Sequence, residues 1–127
     1  MAISGSVKRR LEGEVFATKD DVVATCQSVA KAVNRSWKVS TNASKVTLDM
    51  GFHFVAGVTL APGQEGSVKL QARAEHWRTR QSKLFFVIPI GPKTIIGARA
   101  YNNYLDALES QLKVLDGGRG RLTQVEA

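Results

Sequence analysis

From Val46 to Leu60 every even-numbered residue is apolar: Val46, Leu48, Met50, Phe52, Phe54, Ala56, Val58 and Leu60. Lys45, Thr47, Asp49, Gly51, His53 and Thr59 stand at odd positions among them. A period of two makes a sheet with one buried and one wet face, and a helix cannot satisfy it. A single strand over this stretch would far exceed the usual length of about 5–6 residues. A break or sharp bend is therefore expected near Gly51 to His53, with the parity kept across it. Ala61-Pro62-Gly63-Gln64-Glu65-Gly66 has the composition of a hairpin loop. The even pattern then resumes with Val68, Leu70, Ala72, Ala74 and His76. Such meandering strands imply an antiparallel sheet. Val46, Leu48, Phe54, Val58, Leu60, Val68 and Leu70 are expected on its buried face.

The flanking segments add two helices. Val7, Leu11, Val15 and Ala17 alternate with polar residues and predict a strand, broken by Arg9 on the apolar face and by Gly13. Thr18 is a good N-cap, with Asp20 and Asp21 in the first turn, where the helix dipole favours acid. Val22, Cys26, Val29, Ala30 and Val33 then recur at steps of three and four, one apolar stripe ending at Asn34 or Arg35. Trp37, Val39 and Thr41 open the meander, and 42–44 is a turn. Residues 78–83 read as a basic turn, and Leu84 to Ile88 as a short strand ended by Pro89 and Pro92. A second helix is predicted over about 97–115, with Tyr101, Tyr104, Leu105, Leu108, Leu112 and Leu115 as its stripe and Gly117-Gly118 as its stop.

The expected fold class is α+β: an antiparallel sheet of about five to six strands with two helices packed on one face. Residues 7–116 form the domain, between a short lead (1–6) and a flexible tail (117–127). The chain's 127 residues suit one domain of this kind. The order of elements resembles the helix-grip group, the Bet v 1-like or START-like superfamily. The half-repeat of TATA-binding proteins is a similar arrangement. The resemblance is carried by Trp37-Lys38-Val39, by Val58-Thr59-Leu60-Ala61-Pro62-Gly63 before a hairpin, and by the closing helix Ala100-Tyr101-Asn102-Asn103-Tyr104-Leu105-Asp106-Ala107-Leu108. It implies a curved sheet gripping the closing helix. It also implies an apolar or amphipathic small molecule held between the two.

Eighteen basic against eleven acidic residues give a net charge of +7, which favours anionic partners such as nucleic acid, acidic protein or anionic lipid. The single cysteine, Cys26, excludes an internal disulfide and fits a reducing, cytoplasmic compartment. The longest unbroken apolar run, Leu84 to Ile90, is far short of the roughly twenty residues of a spanning helix. Phosphate-binding loops, dinucleotide fingerprints, zinc-protease motifs and paired-cysteine sites are absent, so no cofactor or metal is indicated. Asp49 and His53 share the wet face without further ligands, and no catalytic constellation assembles from local spacing.

Two candidate sites remain. Trp37, Met50, Phe52, His76, Tyr101 and Tyr104 are expected to line a cleft between the inward sheet face and the second helix, or else to fill the core. Arg73, Arg78, Arg80 and Lys83, with Trp77 and His76 among them, have the composition of a surface that holds phosphates and stacks a base, or of a solvated hairpin tip. The two readings are thus an apolar-ligand binder and a module for a polyanion or nucleic acid.

Overall fold

The computed structural model describes residues 8–42, 44–51, 54–63, 66–77, 79–84, 88–95 and 98–126. Strand β1 (Arg9–Val15) leads into helix α1 (Lys19–Val33), and four strands follow as a meander: β2 (Lys38–Thr41), β3 (Lys45–Asp49), β4 (Val55–Pro62) and β5 (Val68–His76). Strands β6 (Thr79–Leu84) and β7 (Ile88–Ile95) precede helix α2 (Ala98–Leu115), and β8 (Arg121–Glu126) closes the order. The main sheet has six antiparallel strands in the order β2-β3-β4-β5-β1-β8. Both helices pack against it, as the fold class expected. β6 and β7 form a separate two-stranded sheet.

The even-position pattern sets the register. Val46 pairs with Val58, Leu48 with Ala56, Val58 with Ala72 and Leu60 with Leu70. Paired residues share a face, so these side chains form one buried layer with Leu11 and Val15 of β1. All seven residues predicted for that face are buried. The expected break also lies where composition placed it. Gly51 adopts φ 78°, its N–H donates to Asp49 Oδ1 at 3.0 Å, and its carbonyl accepts from Phe54 N at 2.9 Å. Left-handed backbone of this kind suits glycine. The turn returns the chain with parity kept, so Met50 and Phe54 both enter the core.

Helix α1 begins as its cap predicts, with Thr18 Oγ1 accepting from Asp21 N at 3.1 Å. Val22, Cys26, Val29 and Ala30 are its buried stripe. From α2, Tyr101, Tyr104, Leu105, Leu108 and Leu112 meet the same core.

Three features differ from the sequence-based expectation. First, 117–127 is not simply a loose tail, because β8 pairs along β1 from Arg9↔Glu126 to Glu14↔Arg121. Leu122 packs against the core, and Gln124 Nε2 donates to Asp106 Oδ1 at 2.8 Å. Gly13 permits the approach of β8: a Cβ there would overlap the Arg121 carbonyl. Second, the basic turn at 78–83 is largely strand β6, and Pro89 and Pro92 lie within β7 instead of ending a strand. Third, β5 carries a bulge. Val55 pairs with His76 and Ala56 with Ala74, so Glu75 is the extra residue. The bulge reverses the parity at the strand end, and His76 is exposed on the wet side instead of ending the inward row.

Candidate functional site

The inward aromatic set meets in the core. The Trp37 ring packs edge-on against Tyr104 with centroids 6.0 Å apart, and Phe54 lies tilted against Tyr101 at 5.5 Å. Met50 belongs to the same cluster. Phe52 and His53 lie outside the described residues, and His76 points away from this group. Both tyrosine hydroxyls are engaged: Tyr104 donates to the Cys26 carbonyl at 3.0 Å and Tyr101 to the Arg9 carbonyl. A buried hydroxyl needs such a partner, and these have found theirs in the backbone.

Burial has a chemical consequence here. Desolvation raises the Tyr101 hydroxyl from 10.0 to about 12, against the charges of Arg9 and Arg10 and a backbone bond at Ala74. It raises the Cys26 thiol from 9.0 to about 12 and the Tyr104 hydroxyl well above 10.0. Cys26 is thus a poor nucleophile. Folding favours the neutral forms of all three groups. Their stabilisation is fully present below the unfolded values of 9.0 and 10.0 and is lost as pH rises toward about 12. Tyr101 and Tyr104 are the only tyrosines in the chain. A spectrophotometric titration should therefore show no tyrosinate near pH 10 until circular dichroism reports unfolding. Two tyrosines ionising near pH 10 in an intact fold would contradict the packing.

Among the described residues, other side chains line surface cavities. One of about 420 Å³ is a groove between the helices, bounded by Ala24, Ser28, Ala32, Ala107, Gln111 and Leu115. One of about 390 Å³ lies beside the start of α1, against Leu60, Pro62 and Val68. A third, also about 390 Å³, opens on the wet face between Glu12, Glu14, Lys69, Gln71 and Arg121. Among the described residues no group of His, Cys, Asp and Glu is arranged to hold a metal.

The wet face carries the charge. Its carboxylates have partners: Glu75 meets Lys45 Nζ at 2.5 Å and Glu12 meets Arg10 Nε at 3.3 Å. Lys69, Arg73 and Arg121 are exposed and form no ion pair among the described residues. Strand pairing then gathers what the sequence separates. The β1–β5 register ends at Leu11↔Ala72, with Arg10 and Arg73 the next residue on each strand, so Lys8, Arg9 and Arg10 lie at the sheet end where β5 finishes. Trp77 follows at that end, 46% exposed and the largest exposed apolar side chain there. Asp106 and Glu12 compensate part of this charge, Asp106 through Arg9 Nη2 at 2.7 Å. Arg78 lies outside the described residues, while Arg80 and Lys83 are placed by register on β6. The contribution of Lys8, Arg9 and Arg10 was not visible in local sequence, because it needs the pairing of β1 with β5.

No protein-family model, curated protein or solved structure matches this chain. No helix among the described residues is long and apolar enough to cross a membrane.

Proposed function

We propose that this chain is a small, helix-grip-like binding module that recognises an anionic partner at the β1/β5 end of its sheet. One observation carries the reading: β1–β5 pairing ends at Leu11↔Ala72, so Arg10 and Arg73, the next residue on each strand, stand at the end of the sheet where Trp77 is exposed. Guanidinium groups hold phosphates or carboxylates, and an exposed indole adds a stacking or interfacial surface. The inward residues lend less support to an apolar ligand beneath α2. Their rings are in contact and their hydroxyls are bonded to backbone carbonyls. The single buried thiol fits a reducing compartment.

The test is a salt series with duplex DNA as the polyanion probe. If about four phosphates are neutralised, affinity should fall roughly a hundredfold between about 50 and 200 mM salt. Arg10→Glu combined with Arg73→Glu should weaken low-salt binding further. Equal affinity at both salts, or none at the lower one, rejects the reading.

A further inference from the structure

We propose that the outer face of the two helices is an interface between copies of this chain, with a second copy's α1 lying antiparallel in the groove between α1 and α2. The proposal stands apart from the anionic-partner reading and uses none of its residues. The two helices run antiparallel. Phe16 N, just before α1, donates to Asp116 just after α2, and Trp37, just after α1, packs on Tyr104 near the start of α2. Their outward side is a groove of about 420 Å³. Ala24, Ser28 and Ala32, at steps of four, form one wall, and Ala107, Gln111 and Leu115 the other. Val114 continues the Ala107-Gln111 row and is 76% exposed, and Leu115 is 37% exposed. Exposed apolar side chains at the rim of a groove mark a place for a partner.

Charge complementarity selects a second copy as that partner. Asp20 and Asp21 stand in the first turn of α1, Lys31 in its last turn and Arg35 just past its end. Asp21, Lys31 and Arg35 are exposed and form no ion pair among the described residues, whereas Asp106, Glu109 and Lys113 of α2 are paired within the chain. The spacing is symmetric about Ser28. Asp21 lies seven residues before it and Arg35 seven after, and Ala24 and Ala32 lie four to either side. A two-fold axis at Ser28 therefore sets Asp21 against the partner's Arg35, with the partner's Lys31 within reach, and Ala24 against the partner's Ala32. Symmetry repeats every contact on the other side of the axis. Small residues at the crossing let two helices approach to the short end of the usual spacing of about 8–10 Å. Because α2 ends where α1 begins, the far half of the partner's α1 then covers Leu115.

The same face suits other occupants poorly. Helix α1 carries Lys19, Asp20, Asp21 and Lys31, and α2 carries Arg99, Asp106, Glu109 and Lys113, so each helix is neutral and the surplus of +7 lies outside them. Two copies can meet here without bringing that surplus together. A nucleic acid or an anionic lipid would find Asp20 and Asp21 at the rim. A small molecule would find an open groove whose Asp21, Ser28 and Gln111 are exposed, with no enclosed polar anchor. The chain's own C-terminal segment is held in β8. A face two helices wide and about 22 Å long, from 15 residues of α1, is on the order of 500 Å², so a concentration-dependent dimer at the small end of specific interfaces is expected.

The test is sedimentation of the full chain without any ligand. From about 5 to about 500 μM the mass should rise from 13.8 kDa toward twice that value. Ser28→Glu sets two carboxylates against each other on the axis and should weaken the dimer by at least about tenfold. Ser28 is exposed, so native far-UV circular dichroism is expected of this variant. Asp21→Arg alone and Arg35→Asp alone should each weaken the dimer about fivefold or more, and the two together should restore it, because the swap rebuilds the pairs in reverse. That recovery separates pairing across the axis from damage to the fold. Ser28→Cys should cross-link into a dimer under mild oxidation, while Thr59→Cys on the opposite sheet face should not, and native Cys26 is buried out of reach. A wild-type chain that stays monomeric across the series overturns the proposal. So does a dimer that Ser28→Glu leaves at wild-type strength, or one that the Asp21→Arg/Arg35→Asp swap fails to restore.

Discussion

Phe54→Ala is expected to cost the domain about 3–5 kcal/mol. The side chain is fully buried and follows the Gly51 turn, where the chain re-enters the core after β3. Its ring rests on Tyr101 of α2, so it joins the meander to the closing helix. The backbone at this point is fixed by Met50 N donating to the Phe54 carbonyl at 2.9 Å, which leaves little freedom to close the cavity that alanine would open. Domains of this size have about 5–15 kcal/mol in total, so the variant should be near the edge of folding. Equilibrium denaturation measures the difference. A loss below about 1 kcal/mol would mean an exposed Phe54 and would undo the register of every inward residue.

Asp116→Ala should be nearly as damaging and should act on one identifiable element. Asp116 follows α2 and is only 3% exposed. Its carboxylate accepts from Gly118 N and Gly120 N at 2.9 Å each, and from Phe16 N at 3.4 Å. One buried charge thus ties the end of α2 to the exit of β1 and to the entry of β8. Hydrogen bonds to a charged acceptor contribute about 1.5–3 kcal/mol, and orphaned buried donors cost a comparable amount, so a total near 3 kcal/mol is expected. The amides of β8, Arg121 to Glu126, should lose hydrogen-exchange protection ahead of the rest of the sheet. Asp116→Asn should be intermediate, since one acceptor oxygen survives. Unchanged protection of β8 in the alanine variant would show that strand pairing alone holds it.

The parts of this fold that could be read from sequence are those set by local periodicity. The even-numbered row from Val46 to Leu70 carried the register through a turn, because Gly51 to Phe54 happens to preserve parity. Thr18 and the stripe Val22-Cys26-Val29 located α1 for equally local reasons. What escaped depends on partners far along the chain. Arg121 to Glu126 shows no alternation, its two apolar residues Leu122 and Val125 falling on opposite parities, and β8 is held by β1 and by a buried aspartate that composition assigns to solvent. The bulge at Glu75 leaves no mark in the alternation, since it arises where β5 passes Val55. His76 was therefore read onto the wrong face. The cationic sheet end was half-legible: Arg73 stood out beside Trp77, while Arg9 and Arg10 join it through pairing across some sixty positions. In β6 and β7 the prolines and basic residues masked strand character that cross-strand pairing supplies.

The account's central claim is that recognition happens at the exposed sheet end and not beneath α2. The chain has two tryptophans, and they report on these two places separately: Trp37 is 7% exposed in the core and Trp77 is 46% exposed just past the end of β5. Trp37→Phe leaves Trp77 as the sole indole, and Trp77→Phe leaves Trp37. Acrylamide quenching of each variant, with and without saturating duplex DNA at low salt, is the decisive measurement. The account predicts that Trp77 becomes protected when the polyanion binds, while Trp37 emission and quenching stay constant. Unchanged quenching of Trp77 together with a shift at Trp37 would contradict it and place the binding site in the core.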